Sequence, residues 1–139
     1  MTRDYVDVFN CNPFNQTIGN ASTYRACNIT LCDGYSVAAG VCLNGGSYTG
    51  DTVISLYNSS GYLMALNDDS DLCGPKAVGS ELSYTPASGT ACDSYELRQY
   101  CYDLTSCSGI TTVVISPVTS SVPTSKDNTS LSDMICLKS

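Results

Sequence analysis

Oxygen-bearing side chains cluster in the segment NDDSDL, where they could hold a metal ion. Asn67, Asp68, Asp69 and Asp71 place three carboxylates and one amide within five residues. Calcium prefers such oxygen clusters, so Asp68, Asp69 and Asp71 are candidate ligands of a structural calcium ion. The spacing differs from that of an EF-hand loop, whose Gly and terminal Glu are missing here. The competing interpretation is a hairpin loop in which Asn and Asp side chains cap their own backbone.

The usual catalytic groups are missing from the sequence. The chain has no His, the commonest general acid or base at neutral pH, so a Ser-His-Asp arrangement is impossible. A cysteine nucleophile needs a free thiol with a neighbouring base, and only Cys136 is a candidate free thiol. Asp51 with Glu81 or Glu96 could form the carboxylate pair of a glycosidase, but their spacing does not favour it. We therefore expect a non-enzymatic protein that uses no cofactor.

Nine cysteines make disulfide bonding the expected role of this residue type. The chain has no C-x2-C pair and no His, so zinc binding is disfavoured. Disulfides persist outside the cytosol, which predicts an extracellular protein, either secreted or at the cell surface. Sequence alone leaves several pairings open. The expected pairs are Cys11–Cys27, Cys32–Cys42, Cys73–Cys92 and Cys101–Cys107.

Cys136 is the cysteine left over by this pairing. Three interpretations stay open for it. It is a free buried thiol, it forms an intermolecular disulfide, or it belongs to a fifth bridge with a differently assigned partner.

Five N-x-S/T sequons predict the same compartment. Such sequons accept N-linked glycans in secreted proteins, and five exceed the number expected by chance in a Ser/Thr-rich chain. The opening MTRDYVDVF has no apolar signal region, so we expect that the numbering begins inside a longer precursor or that the true start lies elsewhere. The sequons are at Asn15, Asn20, Asn28, Asn58 and Asn128.

Length and charge narrow the class of protein. A chain of 139 residues is one domain, or one domain with a tail. The net charge of -7 disfavours nucleic acid and anionic membrane surfaces as partners, since both attract Lys and Arg. No run of about 18 apolar residues is present, so we expect no membrane-spanning helix.

Short alternating apolar runs, separated by Gly, Asn, Asp, Ser and Pro, predict strands rather than helices. In TVISLY, Ile54 and Leu56 share one face while Ser55 and Tyr57 share the other, which is typical of a strand with one dry side. NSSG at 58–61 is a predicted hairpin turn. Strands are predicted near 4–9, 27–31, 35–42, 52–57, 61–66, 80–85, 94–101 and 110–116.

About eight short strands predict an all-β fold, a two-sheet antiparallel β-sandwich of the jelly-roll type with an extended C-terminal tail. An immunoglobulin sandwich is the alternative, but its usual core Trp is missing. Residues 1–116 form the predicted disulfide-rich domain. Residues 117–139 form the tail.

The predicted tail has two parts. Its first half is rich in Ser, Thr and Pro and is an extended linker that could carry O-linked glycans. Its second half brings back large apolar residues, which should bury against this domain or against a neighbour. These candidate docking residues are Leu131, Met134, Ile135 and Leu137.

The stretch GDTVISLYNSSGYLMALNDDS, followed by SYELRQYC, resembles the bacterial pre-peptidase C-terminal domain over about residues 9–116. The resemblance implies a jelly-roll sandwich that serves secreted enzymes and surface proteins as a non-catalytic module, and some members bind calcium. Its dense cysteines and sequons depart from the bacterial pattern. A lone domain with a tail also resembles the glycosylated jelly-roll subunits of extracellular filaments. The matching residues are Gly50, Asp51, Leu56, Tyr57, Ser60, Gly61, Asn67, Asp68, Asp69 and Tyr95.

Two functions are consistent with these features. The first is a structural subunit of an extracellular glycosylated filament or coat, which polymerises with itself head to tail through its terminal segment. The second is a carbohydrate- or matrix-binding module of a larger secreted protein. Most of the ten tyrosines fit half-buried sheet positions, but Tyr100 and Tyr102, on either side of Cys101, mark a candidate interface.

Overall fold

The computed structural model describes residues 6–74 and 77–118. These residues form eleven strands and two short 3₁₀ turns, Ala21–Thr23 and Asp71–Cys73, and contain no α-helix. The strands are β1 (Asp7–Asn10), β2 (Phe14–Gln16), β3 (Arg25–Leu31), β4 (Tyr35–Gly40), β5 (Ser47–Gly50), β6 (Thr52–Tyr57), β7 (Leu63–Asn67), β8 (Glu81–Tyr84), β9 (Asp93–Cys101), β10 (Cys107–Ile110) and β11 (Thr112–Pro117).

Several sequence predictions concern residues that the structure does not describe. The fifth sequon, the odd cysteine and the docking residues of the tail are among them. They are Asn128, Leu131, Met134, Ile135, Cys136 and Leu137.

Eight of the strands form the predicted jelly roll. Sheet A has the order β1-β11-β4-β8, and sheet C has the order β3-β9-β6-β7, with every pairing antiparallel. Counted along the chain among these eight, the first strand lies beside the eighth, the second beside the seventh, the third beside the sixth and the fourth beside the fifth. This nested order is that of a long hairpin rolled into two sheets, which confirms the predicted antiparallel sandwich.

A third, smaller sheet closes one end of the sandwich. Sheet B has the order β2-β10-β5, and its strands of three or four residues were not predicted as separate elements. Its strand β10 continues into β11 after a break at Thr111, whose carbonyl accepts a hydrogen bond of 2.9 Å from the Cys11 N–H. Sheet B therefore continues from the interior strand β11 of sheet A beyond the main core.

The main core lies between sheet A and sheet C, where alternate residues of each strand point inward. In β9 the predicted pattern is confirmed, since Tyr95, Leu97 and Cys101 are all buried. The prediction for β6 needs a correction, because Ser55 is buried as well. It lies in the middle of sheet C with Arg98 opposite on β9 and Leu66 opposite on β7, and larger side chains on this outer face shield it.

Arg98 organises the outer face of sheet C. Its guanidinium lies 3.9 Å from the ring centre of Tyr57 and 4.4 Å from that of Tyr24, both within cation–π range. Its Nε donates to Glu96 Oε1 at 2.6 Å. This cluster covers β6 from outside, so the central strand of sheet C is shielded on both faces.

Two of the four expected disulfides are present, Cys11–Cys27 and Cys101–Cys107. The expected Cys32–Cys42 pair is wrong, because β4 separates these cysteines by an extended chain that rises about 3.3 Å per residue. Cys32 instead bonds to Cys92.

The partner of Cys32 follows from strand register. Cys32 comes directly after β3 and Cys92 directly before β9, and the adjacent residues Leu31 and Asp93 are opposite each other in the two paired strands. The antiparallel ladder therefore places the two sulfur atoms side by side, although 60 positions of sequence separate them.

The expected Cys73–Cys92 pair is also wrong, because Cys92 bonds to Cys32 and Cys73 bonds to Cys42. Val41 donates its N–H to the carbonyl of Ser80 at 3.0 Å, which lays the segment around residue 80 alongside the end of β4. The Ser70 N–H donates to Gly79 O at 2.9 Å and folds the 3₁₀ turn back onto that segment. Cys73 is thus carried to Cys42.

Candidate functional site: an acidic cluster beside a tyrosine-lined groove

Three carboxylates meet where the β6–β7 hairpin opens. Asp51 directly precedes β6, and Asp68 and Asp69 directly follow β7. In the hairpin Ile54 lies opposite Asn67, so the residues before the first strand come beside those after the second. One carboxylate oxygen from each Asp lies within 4.8 Å of the others.

The predicted set of ligands is therefore partly right. Asp68 and Asp69 do come together, but Asp71 lies in the 3₁₀ turn outside the cluster, and Asp51 takes its place. Asp51 was not predicted because the candidate ligands were chosen among residues adjacent in sequence. Counting outward from the NSSG turn in an antiparallel hairpin would have placed Asp51 opposite Asp68.

Burial and mutual repulsion make these carboxylates costly to ionise. Burial, together with the negative charges of Asp68 and Asp69, raises the pKa of Asp51 to about 6. Burial and the charge of Asp69 also raise the pKa of Asp68. The Oδ1 atoms of Asp51 and Asp68 are both buried without a hydrogen-bond partner. Such orphaned oxygens are favourable positions for a cation.

These donors fit a calcium ion, because it binds carboxylate oxygens and tolerates irregular geometry. Asp51, Asp68 and Asp69 would hold it, and bound calcium would neutralise the repulsion between them. The side-chain oxygen of Asn67 is not available as a ligand, since Asn67 Oδ1 accepts a 3.0 Å hydrogen bond from the Glu81 N–H. The interpretation that Asn67 caps its own loop is therefore wrong, because its side chain caps the start of strand β8 instead.

Asp51→Asn is expected to stabilise the protein by about 1 kcal/mol near neutral pH when a chelator removes calcium. The raised pKa means that the folded state binds the Asp51 proton more tightly than the unfolded state does. Wild type therefore loses stability, relative to the variant, as pH rises from about 4 to about 6, and the difference persists above that window. Denaturant unfolding at a series of pH values measures it.

Asp71→Asn is the matched control for this prediction, since Asp71 lies in the same loop but outside the cluster. Its unfolding curves should follow wild type at every pH. Millimolar calcium should stabilise wild type and Asp71→Asn while leaving Asp51→Asn unchanged. Equal calcium responses from all three proteins would contradict a cation site here.

A groove of about 440 Å³ lies next to the acidic cluster on the outer face of sheet C. It shares Asp68 with the cluster, and Asn20 and Asp103 add polar groups to its rim. Two large apolar side chains in it are unusually open, Tyr102 at 47% and Leu66 at 52% exposure. Its apolar lining consists of Ala21, Val53, Leu66, Tyr100, Cys101 and Tyr102.

The candidate interface at Tyr100 and Tyr102 thus has a concave shape. Tyr100 points to the outer face of β9, opposite Val53 of β6, and Tyr102 follows the end of β9. Both line the same groove. Aromatic walls with carboxylates at the rim are suited to a ligand that has an apolar face and hydroxyl groups.

Four of the five sequons lie within the described residues, and their asparagines are exposed or half-buried. Asn20 Oδ1 accepts a hydrogen bond of 2.7 Å from the Ser22 N–H, and Asn58 Oδ1 accepts one of 3.0 Å from the Ser60 N–H. Each serine is the third residue of its own sequon. At both sites these hydrogen bonds fix the side-chain oxygen Oδ1 of the asparagine. The atom that would carry a glycan, Nδ2, takes part in neither bond.

The pair of Asp51 and Glu96 that was considered for glycoside hydrolysis does not form. Glu96 lies opposite Tyr57, at the other end of β6 from Asp51. Six residues of extended strand span about 20 Å, which is too far for two carboxylates to act on one glycosidic bond.

No protein-family model matches the chain, and no curated protein matches it either. These comparisons do not confirm the resemblance to the pre-peptidase C-terminal domain, and the β-sandwich fold is compatible with it. What the structure defines is a disulfide-rich jelly-roll β-sandwich. Among the described residues, no helix is long and apolar enough to cross a membrane.

Proposed function

We propose that this chain is a non-catalytic structural subunit of an extracellular, glycosylated filament or coat. Four disulfides brace the domain. Its described residues contain one cluster of acidic side chains and no His. The subunits would assemble head to tail, with the terminal segment of one subunit docking on the next. The observation that carries this proposal is the contrast between the two outer faces of the sandwich.

The outer face of sheet C is the face suited to glycans. Asn28 is exposed on β3, where alternation places it outside the core. Asn58 shares a pocket of about 270 Å³ with Asn28, and Asn20 lines the groove on the same face. Bulky hydrated glycans at three positions would keep other proteins from this surface.

The outer face of sheet A has no sequon among the described residues. A row of small or apolar side chains crosses it from β1 to β8, with each member directly opposite the next. Val8, at 58% exposure, begins the row on the edge strand β1, whose only described partner is β11. A free strand edge beside a row of small or apolar side chains suits addition of an extended segment. The row is Val8, Val114, Ala38 and Ser83.

The tail supplies the proposed docking segment. Strand β11 ends at Pro117 in the interior of sheet A, and the Val118 N–H bonds to Gly34 O at 2.8 Å, so the point from which the tail begins is fixed. The apolar residues 131–137 would then reach the β1 edge of a neighbouring subunit.

Deleting residues 124–139 is expected to abolish assembly while leaving the domain folded, because the deletion removes the docking segment and keeps every core residue that the structure describes. Val8→Lys should weaken assembly of the full-length chain by placing a charge on the acceptor surface. Sedimentation velocity and negative-stain electron microscopy of non-reduced protein measure both effects.

Ala26→Lys is the matched control for Val8→Lys, because Ala26 is an exposed residue of the edge strand β3 on the opposite face. It should assemble like wild type. Normal filaments from the truncated protein would overturn the tail mechanism. Equal effects of Val8→Lys and Ala26→Lys on assembly would overturn the assignment of the outer face of sheet A as the acceptor surface.

The second candidate function is a carbohydrate- or matrix-binding module. The groove beside the acidic cluster is the observation that favours it, since tyrosine walls and carboxylates suit sugar ligands. A full-length chain that stays monomeric and binds a soluble or immobilised glycan would make this second function the better one.

A further inference from the structure

We infer that the tyrosine-lined groove is the binding site of this chain's own glycan, with the first sugar of an N-linked glycan on Asn20 packed against Tyr102 and Tyr100. The inference rests on the glycosylated state in the proposed function and not on filament assembly. It assigns the groove an occupant that is covalently attached at its rim. Asn20 itself lines the groove.

The loop that carries Asn20 is fixed against the groove wall by backbone hydrogen bonds. The Gly19 N–H donates to Thr105 O at 2.7 Å, and the Leu104 N–H donates to Gly19 O at 3.0 Å. These two bonds hold the residue before Asn20 against the loop that begins with Tyr102. A sugar on Asn20 would therefore begin next to the Tyr102 ring.

The side-chain amide of Gln16 holds the same loop from the other side. Its Oε1 accepts from the Asn20 N–H at 3.1 Å and from the Cys101 N–H at 2.7 Å. Its Nε2 donates to Asn20 O at 2.9 Å and to Thr23 Oγ1 at 2.8 Å. The loop is ordered before any sugar is attached, so packing a sugar costs little further conformational entropy.

The groove has the chemistry of a sugar site. A pyranose presents C–H groups on one face, which pack on tyrosine rings, and hydroxyl groups at its edge, which can donate to carboxylates. Tyr102 and Leu66 supply the exposed apolar surface, and Asp103 supplies a carboxylate at the rim. Coverage by a sugar also explains why such large apolar side chains are left open on this face.

The sequon at Asn58 offers a contrast within the same chain. Its carbonyl oxygen is held by Ser60 in the way that Ser22 holds Asn20. Its pocket, however, is lined by Glu96, Arg98 and other polar groups around the Tyr57 ring, and it is smaller, about 270 Å³. The Asn58 glycan should therefore project into solvent without stabilising the fold.

Ser22→Ala tests the inference, because it removes the Asn20 sequon and keeps Asn20 and the Ser22 N–H. The full chain is produced in a eukaryotic secretory host, and mass spectrometry measures occupancy at each site. We expect Ser22→Ala to lower Tm by about 4 °C. Ser60→Ala, the matched loss of the Asn58 sequon, should leave Tm unchanged, and Ser22→Thr, which keeps the Asn20 sequon, should behave as wild type.

A second measurement reports contact with Tyr102 directly. Tyr102→Ala should lower Tm in the glycosylated protein and should have almost no effect in the Ser22→Ala background. Nitration of tyrosines provides a readout that needs no change in stability. Tyr102 should be protected in wild type and reactive in Ser22→Ala, while Tyr62, at 67% exposure, reacts equally in both.

Three results from the variants and the occupancy measurement would overturn the inference. They are an unoccupied Asn20, equal Tm changes for Ser22→Ala and Ser60→Ala, and Tyr102 nitration that does not depend on the glycan. Saturable binding of free sugars to the groove of the glycosylated wild type would also overturn it. Filament assembly is scored separately on the same samples, so loss of the glycan contact and loss of the structural function are distinguishable.

Discussion

Gly19→Ala is expected to lower the free energy of unfolding by about 3 kcal/mol. A Cβ at this position would overlap the carbonyl oxygen of Tyr102 and would lie 2.6 Å from that of Cys101. Both are backbone atoms, so no side-chain rotation can relieve the overlap. Cys101 is moreover tied to Cys107 by a disulfide, which keeps its loop from moving away.

Equilibrium denaturation measures this loss, and Gly89→Ala is the control. Gly89 has a φ of 87°, and nothing lies within 4 Å of a Cβ built on it. The control therefore reports the cost of a left-handed backbone alone, about 1 kcal/mol. The Gly19 variant should exceed the control and should also reduce glycan occupancy at Asn20, because it displaces the loop that carries the sequon. Equal losses in the two variants would contradict the close approach at Gly19.

Local periodicity was enough to predict most of the fold. Strands β6 and β9 were found almost residue for residue, since Ile54, Leu56, Tyr95 and Leu97 alternate with polar or smaller side chains as a half-buried strand requires. The number of such runs then indicated a sandwich. The three strands of sheet B were not separated, because runs of three or four residues carry too little periodicity to be recognised.

Pairing between distant residues was the part that the sequence could not provide. Asp51 joins Asp68 only because β6 and β7 are in register, and Cys32 meets Cys92 only because β3 and β9 are. The predicted disulfides that proved wrong joined cysteines that are neighbours in sequence order. In a jelly roll, strands that are consecutive along the chain often lie in opposite sheets, so sequence order is a poor guide to contact.

The groove was visible in the sequence only as two tyrosines on either side of Cys101. Its depth depends on the Asn20 loop, which Gln16 attaches to the end of β9 through its side-chain amide. A single glutamine in a short strand has no pattern that would have indicated this role. Side-chain hydrogen bonds of this kind connect residues 85 positions apart, beyond the reach of any local motif.

Replacing both Cys32 and Cys92 with Ser is expected to lower the free energy of unfolding by about 4 kcal/mol. The two residues are separated by 60 positions, so the bond closes a long loop in the unfolded chain. Neither cysteine belongs to the buried core. The loss should therefore come from greater freedom of the unfolded state and not from lost packing.

The denaturant dependence of unfolding separates these two causes. The m-value should rise in the Cys32/Cys92 double variant, because the unfolded chain exposes more surface once the long loop is open. Removal of Cys101–Cys107 is the comparison, since this bond closes a separation of only 6 residues and both its cysteines are buried. That variant should lose stability through packing with little change in m-value. Two results would contradict the Cys32–Cys92 bond as the main covalent brace of sheet C. One is an m-value that rises in the Cys101/Cys107 variant and not in the Cys32/Cys92 variant, and the other is full stability without the Cys32–Cys92 bond.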